Sequence, residues 1–221
     1  MKIIELKETV TASNDRDAEV LRGEMRKKGT LLINLMASPG AGKTTLLERT
    51  IKDLSREMKI AVLEADVDSS VDAERIESAG ARSIQVHTGG MCHMDAGMTR
   101  EGLETMGYEG IDLAVLENVG NLICPAEFDT GAGKKVMILS TPEGDDKPLK
   151  YPLMFRESDV LIISKTDVSE FFDFDFEKCE ERARKLNPDI TVFRLSAKTG
   201  DGFGEWENWV RKAVREWKEG K

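Results

Sequence analysis

One stretch limits the possible folds more than any other. Leu31–Ala37 is apolar except for Asn34 and has the length of a strand. It opens directly into Ala37-Ser-Pro-Gly-Ala-Gly-Lys-Thr-Thr45, and Lys43–Met58 then carries Leu46, Leu47, Ile51 and Leu54 at helical spacing. A strand that turns through glycines into a helix is the setting of the phosphate-loop pattern GxxxxGK(S/T). Ala37 stands where the first Gly would be, and Gly42-Lys43-Thr44 matches the rest. The exchange weakens the pattern without touching the mechanism, because the first position only shapes the entry turn. Gly40 and Gly42, with Ala41 between them, let backbone N–H groups approach phosphate oxygens. The start of the helix adds its positive end. Lys43 supplies charge to the outer phosphates, and the Thr44 hydroxyl, followed by Thr45, is placed for magnesium. A glycine-rich turn that binds nothing is the bland alternative, and the flanking strand and helix argue against it.

The rest of the chain alternates in the same way. Strands are expected at Lys59–Ala65, Ser83–Val86, Ile111–Glu117, Lys135–Thr141, Asp159–Ser164 and Thr191–Leu195. Helices are expected at Ala73–Ala79, Asp95–Met106, Phe176–Leu186 and Phe203–Trp217. Apolar strands separated by helices imply crossover connections, hence an α/β fold with a mostly parallel sheet covered by helices on both faces. Residues 10–29 read as an amphipathic helix through Val20, Leu21 and Met25, with Ser13, Asn14 and Asp15 as cap candidates and a stop at Gly29. The organisation expected is a helical extension over 1–29 packed on one phosphate-loop domain over 30–221.

Composition closes off other classes. Lys plus Arg is 32 against 41 for Asp plus Glu, a formal charge of −9. That balance argues against nucleic-acid binding and against a basic membrane-surface patch. The N-terminus has no apolar core of signal-peptide length, and no segment has the ~18 apolar residues of a membrane span. A cytoplasmic chain is expected. Its three cysteines, Cys92, Cys124 and Cys179, then suggest packing, metal ligation or catalysis rather than a disulfide framework.

Two segments bear on which nucleotide is bound. The strand Val160–Ser164 runs into Lys165-Thr166-Asp167. This resembles the N-K-x-D guanine motif of GTPases, with Ser164 in place of Asn. An Asp beneath the base edge accepts from the guanine ring N–H and amino group, and adenine presents neither donor there. The stem of Lys165 can lie along the base plane. Ser196-Ala197-Lys198 resembles the S-A-K motif, whose backbone N–H meets the guanine carbonyl. Each piece alone is weak, and an Asp such as Asp167 by itself is more often a helix cap at a strand exit. Together, on consecutive strand ends, they favour GTP over ATP. Ser is shorter than the Asn that would brace the phosphate loop, which puts the strength of guanine binding in question.

Acidic strand ends supply the magnesium chemistry. Glu64-Ala65-Asp66 ends one strand, and Glu117 ends another, followed by Asn118-Val119-Gly120-Asn121. Glu117 suits magnesium and the Gly120 amide suits the γ-phosphate. Asp66 suits magnesium or the attacking water. Helix capping is the competing reading for both acids. With Lys43 and backbone groups stabilising phosphate charge, and no water-orienting Gln in view, slow turnover is expected. Lys147 and Lys150 beside Gly144-Asp145-Asp146 could reach a partner's nucleotide, but a solvated loop is the favoured reading for both.

Met91-Cys92-His93-Met94-Asp95 and Ile123-Cys124-Pro125 offer ligands for zinc or nickel, with Asp95 as an extra. Spacing alone leans slightly toward small buried cysteines, and Cys179 reads as packing. The link to Gly120 raises the interest of Cys124. A loop whose shape follows the γ-phosphate would move a metal ligand with it, and ligands paired across a two-fold axis would complete a tetrahedron.

The phosphate loop, Cys92-His93-x-Asp95, Glu117–Pro125, Thr141-Pro-Glu-Gly-Asp-Asp146 and the late Lys-Asp motif together resemble the HypB family of nickel-insertion GTPases for NiFe-hydrogenase, and less closely UreG, the urease counterpart. The resemblance runs from about residue 15 to the last helix. It implies a P-loop GTPase that hydrolyses GTP to GDP and phosphate and dimerises with nucleotide. It also implies a nickel or zinc site with Cys92, His93 and Cys124 as ligands, at or near the dimer interface. The partners implied are a HypA-like nickel chaperone and, indirectly, the hydrogenase large subunit. The only histidines are His87 and His93, so high-capacity nickel storage is not expected. A P-loop small-molecule kinase and a non-hydrolysing, nucleotide-gated metal scaffold are the alternatives from other classes.

Overall fold

The computed structural model describes residues 6–65 and 70–220. Seven strands form one parallel sheet: β1 Leu31–Ala37, β2 Ile60–Glu64, β3 Arg82–Gln85, β4 Leu113–Glu117, β5 Lys134–Ser140, β6 Val160–Ser164 and β7 Thr191–Arg194. Their order is β3-β2-β4-β1-β5-β6-β7. In register, β1 sets Leu35 beside Glu117 of β4 and Ala37 beside Ile138 of β5. Side chains alternate between the two faces of a strand, and at β5 and β6 the two faces pack into different cores. Leu35, Val136, Val160 and Ile162 pack in one core with the helices α2 Lys43–Leu54 and α9 Phe203–Lys218. Met36, Met137, Leu139, Leu161 and Ile163 pack in the other with α7 Pro152–Glu157 and α8 Phe176–Leu186. Burial on both faces explains why these strands read as continuous apolar runs.

The remaining helices are α1 Leu6–Lys28, α3 Ser70–Ala79, α4 Ala96–Met106, α5 Cys124–Glu127 and α6 Lys147–Lys150, numbered with the others in chain order. The helix α1 starts earlier than the cap candidates suggest, so Ser13, Asn14 and Asp15 lie inside it. Its buried stripe is Ala18, Leu21 and Met25, whereas Val20 is 55% exposed. The helix α2 stops at Leu54 rather than Met58, and in the turn that follows the Glu57 and Met58 N–H groups both donate to the Leu54 carbonyl. The short helices α5, α6 and α7 lie in segments that carry no helical period, and each has proline in its first turn, where the missing N–H costs nothing. Lys147 and Lys150 belong to α6 rather than to a solvated loop. Lys147 lies over the Tyr151 ring and pairs with Glu143 at 3.6 Å, and Lys150 pairs with Asp146 at 2.7 Å. Among the described residues, no helix is long and apolar enough to cross a membrane.

Candidate functional site: a phosphate loop joined to a cysteine–histidine cluster

In an open parallel sheet the crevice beyond the carboxyl ends of the strands is the natural place for a ligand. The ends of β1, β4, β6 and β7 meet there. Gly42 caps α2 with φ 102°, a conformation open to glycine and costly for other residues. The neighbouring cavity of 440 Å³ is bounded by Gly40, Gly42, Lys43, Thr44, Thr45, Glu117 and Gly120, with Arg75 and Lys165 at its wall. Lys43 is buried. The Thr44 hydroxyl donates to Glu117 Oε1 at 3.0 Å, so the hydroxyl and carboxylate expected to share magnesium already face one another. Asp66 lies outside the described residues. Gly120 passes so close to the phosphate loop that a Cβ there would sit 3.0–3.2 Å from Pro39. Glycine is what allows this loop to lie against that one.

The second cavity, 260 Å³, adjoins the first at Gly42, Thr45 and Lys165, and Asp167, Ser196, Ala197 and Lys198 complete its wall. The structure thus brings both segments expected to read the base to one pocket. Lys165 is the only described non-glycine residue with positive φ, at 59°. Its ammonium donates to the Gly40 carbonyl at 2.7 Å, which pins the side chain across the loop while its stem stays along the pocket. Ser164 is long enough after all: its hydroxyl donates to the Ala41 carbonyl at 2.9 Å in a buried bond. The strand β6 approaches the loop closely enough that a hydroxyl does what an amide would do from farther away. The Ser196 hydroxyl accepts from the Thr199 N–H at 3.1 Å and Arg49 donates to the Ala197 carbonyl at 3.2 Å, fixing this turn. Arg49 and Arg75 stand out in no motif. Arg75 is held by Glu48 through bonds of 2.9 and 2.6 Å, and only the fold reveals its place at the phosphate cavity.

Past Gly120 the chain reaches the metal-type cluster. The ligand atoms of Cys92, His93 and Cys124 lie within 4.8 Å of one another, although β4 separates the two cysteines in sequence. The two sulfurs are 2.8 Å apart and the thiols are unbridged. The His93 ring stacks on Phe128 at 3.8 Å. Burial lowers the imidazole pKa, against the opposing pull of Asp95 and Glu127, and this favours the neutral form that binds metals. The hydrogen bond from Cys92, with burial, raises the Cys124 thiol, so a cation is needed to hold both sulfurs as thiolates. Two sulfurs and an imidazole are a donor set that zinc or nickel accepts. Asp95 does not join the cluster. Its side chain caps α4 by accepting from the Met98 N–H at 2.8 Å. Cys179 is fully buried in the second core, and burial pushes its thiol up to about 12.

A buried amide pair ties the two centres together. Asn118, directly after Glu117, donates to Asn34 at 3.0 Å and accepts from the N–H of Met94 at 3.3 Å, next to His93. Asn118 belongs to the Glu117–Pro125 run and Asn34 stands out as a polar residue within an apolar strand, but their pairing could not be read from the sequence.

A phosphate loop, a magnesium-type hydroxyl–carboxylate pair and a Cys/His cluster on one parallel sheet define a P-loop nucleotide-binding protein with an attached metal-type cluster. The family profile "CobW/HypB/UreG, nucleotide-binding domain" matches residues 31–194. Within that grouping, the chain belongs to the HypB family of hydrogenase maturation factors. It is 45% identical over 213 residues to a HypB of Azotobacter chroococcum, covering 96% of this chain and 69% of that one. It is similar to the crystal structure of HypB from Archaeoglobus fulgidus, with a TM-score of 0.86 and 39% identity over 92% of this chain and 99% of that one. It matches Helicobacter pylori HypB, solved in complex with nickel, at a TM-score of 0.86 and 38% identity, covering 92% of this chain and 96% of that one.

Proposed function

We propose that the chain is a GTP-hydrolysing metallochaperone that binds nickel or zinc and assists nickel insertion into NiFe-hydrogenase in the cytoplasm. The observation that carries this reading is the single strip from Glu117 to Cys124. One end faces the Thr44 hydroxyl, and the other carries a sulfur of the cysteine–histidine cluster.

In this reading magnesium is held by Thr44 and Glu117, with Asp66 as a further acid, and it neutralises charge on the outer phosphates. Lys43 and the amides of Gly40, Ala41, Gly42 and Thr45 cradle the phosphates, and the Gly120 amide meets the γ-phosphate. Asp167 accepts from the guanine edge, Lys165 flanks the ring, and the turn Ser196-Ala197-Lys198 donates to the guanine carbonyl. Cys92, His93 and Cys124 take nickel as cargo, or zinc. Nucleotide-dependent dimerisation would bring two such clusters together, and a HypA-like nickel chaperone is the expected recipient on the way to the hydrogenase large subunit.

Calorimetry with nickel, with and without a non-hydrolysable GTP analogue, tests the coupling. One metal per two chains, seen only with the analogue, supports a shared and gated site. One per chain regardless of nucleotide places the site within the monomer and removes the coupling. Phosphate release from GTP in competition with ATP tests the enzyme. Preference for ATP with transfer to a small acceptor would make it a kinase, and dimerisation without turnover would make it a scaffold.

A further inference from the structure

Beyond the bond from Met94 N–H to Asn118 and the 2.8 Å approach of the two sulfurs, the two ligand-bearing segments are held together at the cluster itself by little. Asn121 reaches the Cys92 carbonyl at 3.4 Å in an exposed position. His93 and Phe128 stack near the surface. Neither contact fixes the approach of residues 92–95 to residues 124–129. A third element does.

Asn14 lies mid-way along α1, and its half-buried side-chain amide is used at both ends. Its oxygen accepts from the Ala96 N–H at 2.9 Å, at the first turn of α4 immediately after the Cys92–Asp95 segment. Its Nδ2 donates to the Asp129 carbonyl at 2.9 Å, immediately after Phe128. One planar group therefore spans the two segments that carry the ligands. Ion pairs farther along the same helix fix it against both. Arg22 holds both carboxylate oxygens of Asp129 at 2.8 and 2.6 Å and the Ala132 carbonyl at 3.0 Å. Glu24 pairs with Arg100 of α4 at 2.5 Å.

We infer that α1 is a splint for the metal centre and that Asn14 is its positioning residue. It acts through the backbone of Ala96 and Asp129 and touches no ligand. The inference rests on the reading of Cys92, His93 and Cys124 as that centre. A site whose ligands must first be brought together binds more weakly than one already assembled. Outer groups that orient ligands are typically worth about 10–100-fold in metal affinity.

The test uses the full chain with nickel(II) alone, titrated against a chromophoric chelator and followed by the thiolate-to-nickel absorption. Asn14→Ala removes both bonds. Asn14→Asp keeps the acceptor for Ala96 but sets a carboxylate oxygen against the Asp129 carbonyl, so it still caps α4 and no longer bridges. The splint predicts nickel affinity about tenfold weaker in both variants, with phosphate release measured with magnesium and without nickel unchanged, because Asn14 touches neither the phosphate loop nor the base pocket. Urea midpoints show whether each variant is folded, and Asn14→Asp carries the test if Asn14→Ala is not. Affinities within twofold of the unsubstituted chain would overturn the splint, as would an Asn14→Asp chain that binds normally while Asn14→Ala does not. An unsubstituted chain with no thiolate-to-nickel band overturns the metal centre itself and the splint with it.

Discussion

Asn118→Ala is the sharpest test of how the two centres are joined. Asn118 and Asn34 are both fully buried. The Asn118 amide donates to Asn34 Oδ1 at 3.0 Å, and its oxygen accepts from Met94 N–H at 3.3 Å and Val119 N–H at 2.9 Å. Alanine strands the Asn34 oxygen and the Met94 N–H, both in buried surroundings, at about 1–3 kcal/mol each. The half-buried Val119 N–H can turn to water and adds little. The expected loss is therefore about 2–6 kcal/mol, a large share of the ~5–15 kcal/mol typical of a domain. The double variant Asn34→Val/Asn118→Ala removes the stranded oxygen and also the Asn34 amide, which has no hydrogen-bond partner among the described residues even in the parent. Because replacing both members of a buried polar pair by apolar groups comes close to neutral, the double variant should regain about 1–3 kcal/mol over the single. Equilibrium unfolding in urea, free of metal and nucleotide, measures both. A single variant within about 0.5 kcal/mol of the parent, or a double variant less stable than Asn118→Ala, would refute the reasoning.

Three further outcomes follow from the same structure. Asp167→Asn replaces a two-oxygen acceptor with one oxygen and one donor, so GTP affinity should fall about 100-fold or more while xanthosine triphosphate gains, read by competition for a fluorescent nucleotide. Ser164→Ala strands the Ala41 carbonyl at the phosphate loop; a cost of about 1–2 kcal/mol corresponds to a roughly 5–30-fold weaker GTP Kd in the same titration. Burial pushes the Asp112 carboxyl up, but the Lys218 ammonium and the Lys59 N–H more than offset it and hold the group below its ordinary 3.8. Its contribution is therefore present above pH 3.8 and is lost as pH falls through the lower folded value. The stability gap between the parent and Asp112→Asn should stay constant from pH 7 to about 5 and then close below pH 4, as measured by urea unfolding at each pH.

Those features of the site that rest on local pattern were legible in the sequence. The strand–glycine–helix run of β1, the phosphate loop and α2 could be read because period and turn chemistry are local. Lys165-Thr166-Asp167 and Ser196-Ala197-Lys198 could be paired because strand order in a crossover fold places them at neighbouring ends. What stayed hidden depends on distances through space. Cys92 and Cys124 looked as much like packing as like ligands, because spacing in sequence says nothing about two segments on either side of β4. Asp95 looked like a spare ligand because a carboxylate beside a histidine and a helix cap have the same sequence. Asn14 looked like a helix start for a related reason: an amide that bonds backbone groups is the usual cap, and here the backbone it bonds belongs to distant segments. The one-turn helices α5 and α6 are too short to show any period.

The arrangement also constrains the form that nucleotide–metal coupling can take. Gly120 lies so close to Pro39 that a Cβ there would sit 3.0–3.2 Å from it, and Asn118 holds the Met94 N–H. A movement of this strip on nucleotide binding therefore displaces Cys124 from one side and the Cys92–His93 segment from the other. The asparagine splint at Asn14 opposes any separation of the two segments at their far ends. The cluster is thus held by Asn118 from within the strip and by Asn14 from the far side. Coupling of this kind is reciprocal: whatever factor GTP applies to metal affinity, the metal applies to GTP affinity. A chain built this way cannot have a nucleotide-gated metal site without also having a metal-gated nucleotide site.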